Sequence, residues 1–183
     1  MKRRKLLQYG AIGSTSFLLN TELINSNKNT SLSINMKNQT LYDWIILYWM
    51  PYDNDLSELG IPIIQMLARG VESSNILVVV ESDFSGAKQL SRNIITQGNI
   101  AVQQLETANS GSEEVFAEYL NWAKSNFQAK KWAIAFLGHG GHLDEISPDE
   151  NPAPGSNLAT QWMNIQTLSG IIASFNKEVS DRC

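Results

Sequence analysis

The stretch "WAIAFLGHGGH", residues 132–142, runs six apolar residues into Gly138, His139, Gly140, Gly141 and His142. An uninterrupted apolar run of this length reads as a strand covered on both faces, and the glycine cluster closes it abruptly. Each glycine in an ordered segment costs about 0.5–1 kcal/mol of backbone entropy, so three around one histidine ask for a reason. A strand end that bares its backbone beside an imidazole is suited to receiving another chain.

Upstream, "WIILYWM" (residues 44–50) and "NILVVVE" (residues 75–81) are further β-branched and aromatic runs without a polar face, predicting two more buried strands. "PYDNDLSELG" follows the first of them. Its Asp55 and Glu58 have capping-box spacing, predicting a helical turn from Leu56. Pro62 would cost about 3 kcal/mol inside a helix, so the main helix is predicted to begin at Pro62 and to end at Gly70. Residues 82–86 read as the loop after the second strand. Two weaker strands, around Ile94 and over residues 100–105, flank "QGN" and predict an antiparallel hairpin. "NSGSEEVFAEYLNWAKSNF" carries a Ser110 to Glu113 capping box and a helical stripe of Val115, Phe116, Tyr119, Leu120 and Ala123. A polar loop is expected from Gly140 to Thr160, with its acidic part, residues 144–150, solvated. A loop of roughly twenty residues is long for a plain connection and points to function or processing. A last amphipathic helix over residues 165–179 sets Leu168, Ile172 and Phe175 on one side.

Strand, helix, strand, hairpin, helix, strand, helix is the order of an α/β fold: a mostly parallel sheet with helices on both faces. Such sheets bind ligands at the carboxyl ends of their strands, where His139 falls.

The 183 residues are 43% hydrophobic and 17% charged, with a net charge of −4. That suits one globular domain with appendages. Outside the first five residues no basic cluster offers a phosphate backbone a footprint, which argues against nucleic acid as a partner. A single cysteine, Cys183, excludes an internal disulfide. "MKRRKLLQYGAIGSTSFLL" sets an Arg-Arg pair before a short apolar run, so residues 1–20 read as a twin-arginine export signal and the product as exported. Residues 21–40, rich in Asn, Ser and Thr, read as a polar linker, and the folded domain spans 41–183.

Three chemistries compete for His139. It could be a loop histidine with one structural hydrogen bond. It could join His142 and Asp144 or Glu145 around a metal, but no helix aligns that spacing, and no metal site is assigned. Third, it could be a general base for a thiol nucleophile, with the amide of Gly140 free to donate to an oxyanion. The third accounts for the glycines.

With "WIILYWMPYDNDL" and "NSGSEEVFAEYLNWAKSNFQAKKWAIAFLGHGG" in this order, the sequence resembles the clostripain-like cysteine peptidases, relatives of caspases, gingipains and legumains, from Asp43 to about Val179. The resemblance implies a three-layer αβα sandwich around a caspase-like sheet and peptide-bond hydrolysis through an acyl-thioenzyme. It implies a Cys-His dyad with His139, Gly140 as oxyanion donor, and cleavage after arginine or lysine. Peptides or proteins are then the substrates, and activation comes by cleavage inside a loop. The chemistry requires no cofactor, although members of the group can be calcium-dependent. The family's nucleophile ends a strand that follows the helix after the histidine loop. Between Val179 and Cys183 only Ser180, Asp181 and Arg182 intervene, too few and too polar for a buried strand. Cys183 is therefore not expected to be the nucleophile. The domain is expected to be incomplete at its C-terminus and inactive alone, with a C-terminal remainder supplying the thiol. The alternatives are a non-catalytic caspase-like module for binding or assembly, and an inactive fragment.

Overall fold

The computed structural model describes residues 40–152 and 159–181. The expected export signal, nearly all of the linker, part of "SPDENPAPGS" and Cys183 lie outside them.

The domain is a three-layer α/β sandwich. Its five-stranded sheet has the order β4-β3-β2-β1-β5. The strands are β1 (Leu41–Tyr52), β2 (Ile76–Phe84), β3 (Ser91–Thr96), β4 (Asn99–Gln104) and β5 (Gln128–Phe136). β1 pairs in parallel with β2 and β5, in a register that sets Ile46 beside Val78 and Ala133. β2, β3 and β4 pair antiparallel, and Gly98 takes the left-handed conformation (φ 73°) that the two-residue hairpin turn requires. The apolar runs read from the sequence are thus the sheet's three parallel strands. On one face α2 (Glu113–Asn126) and α3 (Ile165–Ser180) bury Phe116, Tyr119, Leu120, Leu168 and Phe175 against Ile45, Leu47, Trp49, Leu77 and Val79. On the other, α1 (Ser57–Gly70) lays Ile64 against Met50, Val78, Val80 and Ile95.

Several expectations change. α1 starts five residues before Pro62, which sits inside it. Its first turn is tight, with Ser57 N donating to the Asn54 carbonyl and Leu59 N to the Leu56 carbonyl. It is also pressed on the end of β2, since a Cβ on Gly60 would fall 1.9 Å from Phe84 Cε1. A tertiary contact therefore holds the turn that proline would discourage. Neither capping box forms as read. No side chain caps α1, and Ser112 rather than Ser110 caps α2, its Oγ accepting from Val115 N. Ser110 is engaged elsewhere, as is Asp55. β2 runs on to Phe84, so Ser82 and Asp83 belong to the strand and not to a loop. The segment after Gly140 holds β6 (Glu145–Asp149) and β7 (Gln161–Asn164), a small antiparallel sheet, in place of an irregular loop.

Candidate functional site

The carboxyl ends of β1, β2 and β5 meet at one edge of the sheet, and β6 closes over them. Beyond β5 the chain continues straight, with Leu137 N donating to the Trp49 carbonyl at 2.9 Å. Gly138 then passes the ring of Pro51, where a Cβ would lie 3.4 Å from Cγ. His139 follows at the rim, its carbonyl accepting from Ser147 N at 3.0 Å. Gly140 bridges Ile146, and Gly141 N donates to the Glu145 carbonyl. Gly141 is required by crowding, because a Cβ there would meet Glu145 Cβ and Trp162 Cζ3 at 2.9 Å. Gly140 differs. Nothing lies within 4 Å of where its Cβ would be, and among the described residues its N–H has no partner.

The side chain of His139 is 43% exposed, and its Nε2 lies 2.7 Å from Oδ1 of Asp55. A carboxylate can only accept, so Nε2 is the donor in this contact and Nδ1 is left free of it. Asp55 is placed by the turn after β1. There Asn54 donates from Nδ2 to the Pro51 carbonyl at 2.9 Å and accepts from Leu56 N at 3.0 Å. The "DND" motif thus splits into three tasks, with the last aspartate reaching across to the histidine. Asp55 read as a capping residue from spacing alone. That a histidine 84 positions away takes the same carboxylate is a property of the parallel β1–β5 pairing.

Behind this pair, buried side chains from three strand ends meet. Asp53, Asp83 and Asp149, exposed by 4%, 2% and 0%, bring one oxygen each to within 4.8 Å of the others. Asp149 accepts from Ser110 N at 2.8 Å and Asn151 N at 2.9 Å, and Asn151 Nδ2 donates to Asp53 at 3.1 Å. Oδ2 of Asp83 is buried without a partner. Burial, then the charge of Asp149 and more weakly that of Asp53, push the Asp83 carboxyl up to about 7, against the pull of Ser110. Burial likewise raises Asp149. The sequence reading left Asp83 in a loop and Asp149 in a solvated acidic stretch, and missed the cluster. Among the described residues these three make up the group with metal-ligand geometry, and the set of His139, His142, Asp144 and Glu145 does not. An all-carboxylate donor set with an orphaned buried oxygen fits a hard cation such as the calcium the family resemblance implies.

A mixed sheet, parallel over β2, β1 and β5 and covered by α1 on one face and by α2 and α3 on the other, is the fold also found in clostripain-like (C11) cysteine proteases. A secreted C11 cysteine protease from Bacteroides thetaiotaomicron, solved with an irreversible peptide inhibitor, matches with a TM-score of 0.55 at 20% identity, over 72% of this chain and 39% of its own. A second secreted C11 structure from that organism gives 0.55 at 14% identity, over 75% of this chain and 43% of its own. A B. fragilis cysteine protease gives 0.50 at 18% identity, over 63% of this chain and 98% of its own. The chain therefore spans less than half the length of the two secreted proteases. No family model and no curated protein matches it.

Proposed function

We propose that this chain is the histidine-bearing part of an exported, clostripain-like cysteine endopeptidase that cleaves after arginine or lysine. The observation that carries the reading is the His139–Asp55 pair at 2.7 Å on the rim of a C11-type sheet. With Nε2 committed to Asp55, Nδ1 is the nitrogen that takes the proton of an incoming thiol, and Asp55 stands beside the positive charge the ring then acquires. A thiolate so formed attacks the scissile carbonyl, and the unpartnered amide of Gly140 is suited to donate to the resulting oxyanion. Asp55 is a positioning residue, acting through the histidine.

The thiol comes from polypeptide outside the described residues. α3 runs through Ser180, and no strand follows it among the described residues. β5 pairs with β1 and, among the described residues, has no neighbour on its other side. A C-terminal remainder that adds a strand there would bring a nucleophile to the rim beside His139 and cover the sheet edge. The chain without it is inactive. Export agrees with the Arg-Arg pair of the leader and with the two neighbours described as secreted, and no helix among the described residues is long and apolar enough to cross a membrane.

Fluorogenic peptides ending in arginine or lysine, assayed with the protein carrying its C-terminal remainder, test the reading. His139→Ala should abolish turnover, by a factor of about 10³ or more. Asp55→Asn should lower kcat about 10–100-fold with KM little changed and shift the pH profile, as loss of an orienting partner does. Undiminished cleavage by His139→Ala would end the proposal.

A further inference from the structure

We propose that Leu143, with Trp162 and Ile165 beside it, forms an apolar subsite for the peptide substrate, which takes a large aliphatic side chain two or three residues from the bond cut. The inference rests on the peptidase reading and adds to it a second point of recognition. Its starting point is the hairpin that carries His139. Residues 139–141 run antiparallel to residues 145–147, joined by Ser147 N to the His139 carbonyl, the bridge of Gly140 with Ile146, and Gly141 N to the Glu145 carbonyl. Glu145 N closes the turn on the His142 carbonyl at 3.1 Å, which makes Leu143 and Asp144 its two central residues.

Three observations point to a ligand at this tip. First, Leu143 is fully exposed, although the tips of turns favour Gly, Pro, Asn, Asp and Ser. Second, it is not alone. Ile165 is 42% exposed and its N–H donates to the Asp144 carbonyl at 2.9 Å, while the half-buried indole of Trp162 lies against Gly141. A single apolar residue on a surface is ordinary, whereas several gathered in one place mark a contact. Third, the tip is held firmly. Besides the turn bond, His142 N donates to Oε2 of Glu145 at 3.1 Å, and Asp144 accepts from Asn164 Nδ2 at 3.4 Å. An apolar anchor fixed in advance loses little entropy when it is covered.

The occupant follows from the position. The hairpin is the direct continuation of β5 past the sheet's rim, so a chain that docks at His139 lies alongside it. At about 3.3 Å per extended residue, Leu143 stands roughly 10 Å from His139, the span of three residues of a bound peptide. A substrate with its scissile bond at His139 therefore brings its second or third side chain to the tip. Asp144 and Glu145 adjoin Leu143 in the chain, and their charge discriminates against an acidic residue at that place.

The test reads binding and not cleavage, so its failure and that of the peptidase reading are distinguishable: absence of turnover would sink that reading and leave a binding preference standing. It uses the protein carrying its C-terminal remainder and the substitution His139→Ala, so that peptides are bound and not cut. The probes are fluorescein-labelled peptides of serine and glycine around one arginine, with leucine placed in turn at each of the three positions on either side. Fluorescence anisotropy should show leucine at one position, two or three residues from the bond after arginine, binding about 10-fold tighter than serine there, and aspartate binding more weakly than serine. Leu143→Ser should remove most of that preference and leave the affinity of the all-serine peptide unchanged. Leu143→Met should keep it, as should Met66→Ser, an exposed apolar residue on α1. Leu143→Ser should also melt with the unsubstituted protein. A preference absent from the start, or retained by Leu143→Ser, would overturn the proposal. So would a Tm lowered by about 3 °C or more in that variant, which would show that the chain's own remainder covers the leucine.

Discussion

Glu81 and Asp83 stand two residues apart on β2, and a strand's alternation puts them on the same face of the sheet. Both are buried, and burial above all pushes both carboxyls up to about 7. Their surroundings are opposite. β3 delivers Arg92 directly across from Glu81, with Nε and a terminal nitrogen both 2.7 Å from Oε2. That guanidinium also lies 3.9 Å over the ring of Trp122 and 5.5 Å from that of Tyr119. Asp83 receives two more aspartates and no base. Glu81 has its counter-charge within the fold, set by hairpin register, while its Oε1, like Oδ2 of Asp83, is buried without a partner. The Asp83 cluster has no basic partner among the described residues.

The comparison can be broken at its stronger end first. Arg92→Leu should cost about 3–5 kcal/mol at pH 8, because it leaves Glu81 buried and uncompensated. Arg92 opposes the upward push on Glu81 that comes from burial and, more weakly, from Glu118, so removing it leaves the carboxyl raised still further above its ordinary value of 4.5. A carboxyl raised in the folded state contributes stability that is fully present below its unfolded pKa and is lost as pH climbs through the folded one. The penalty of Arg92→Leu should therefore be clearly smaller at pH 5 than at pH 8. Urea unfolding at both pH values checks this, and an equal penalty would contradict it.

Replacing both partners sharpens the contrast. Glu81→Leu combined with Arg92→Met should recover most of that loss, ending within about 1–2 kcal/mol of the original, since an apolar pair avoids desolvating two charges. Failure to recover would mean that the pair ties into its surroundings beyond its own two charges. Tyr119→Phe should cost about 1 kcal/mol in the same measurement, since the phenol donates to the Val79 carbonyl at 2.9 Å in a buried position. At the aspartate cluster, Ser110→Ala should have the smallest effect, below about 1 kcal/mol, because the hydroxyl's contact with Asp149 is long, at 3.4 Å, and the backbone N–H of Ser110, which the substitution keeps, holds the same oxygen at 2.8 Å.

The parts of the fold legible in the sequence are those with one-dimensional signatures. The unbroken apolar runs in β1, β2 and β5 can lie only in the middle layer, the "QGN" turn closes the β3–β4 hairpin, and the stripe ending at Ala123 gives α2. The place of His139 just past the end of β5 was legible because glycines follow the apolar run there. Caps and boundaries were less so. Ser110 and Asp55 both stand three residues before a glutamate, and local spacing cannot show that Asp149 and His139 compete for them. β6 and β7 were hidden because strands of five and four residues in a polar stretch bury too little apolar surface to mark a pattern.

By itself the sequence determined the layer order, the strands that fill the middle layer, and the placing of an imidazole at the edge where such sheets meet ligands. Periodicity and glycine placement are enough for that, since they record what each segment must bury. Tertiary structure alone decided which carboxylate faces His139, which serine caps α2, and that Asp53, Asp83 and Asp149 share one buried centre. Those pairings join residues tens of positions apart. Their partners are set by strand register and chain crossing, which leave no mark on any short stretch of sequence.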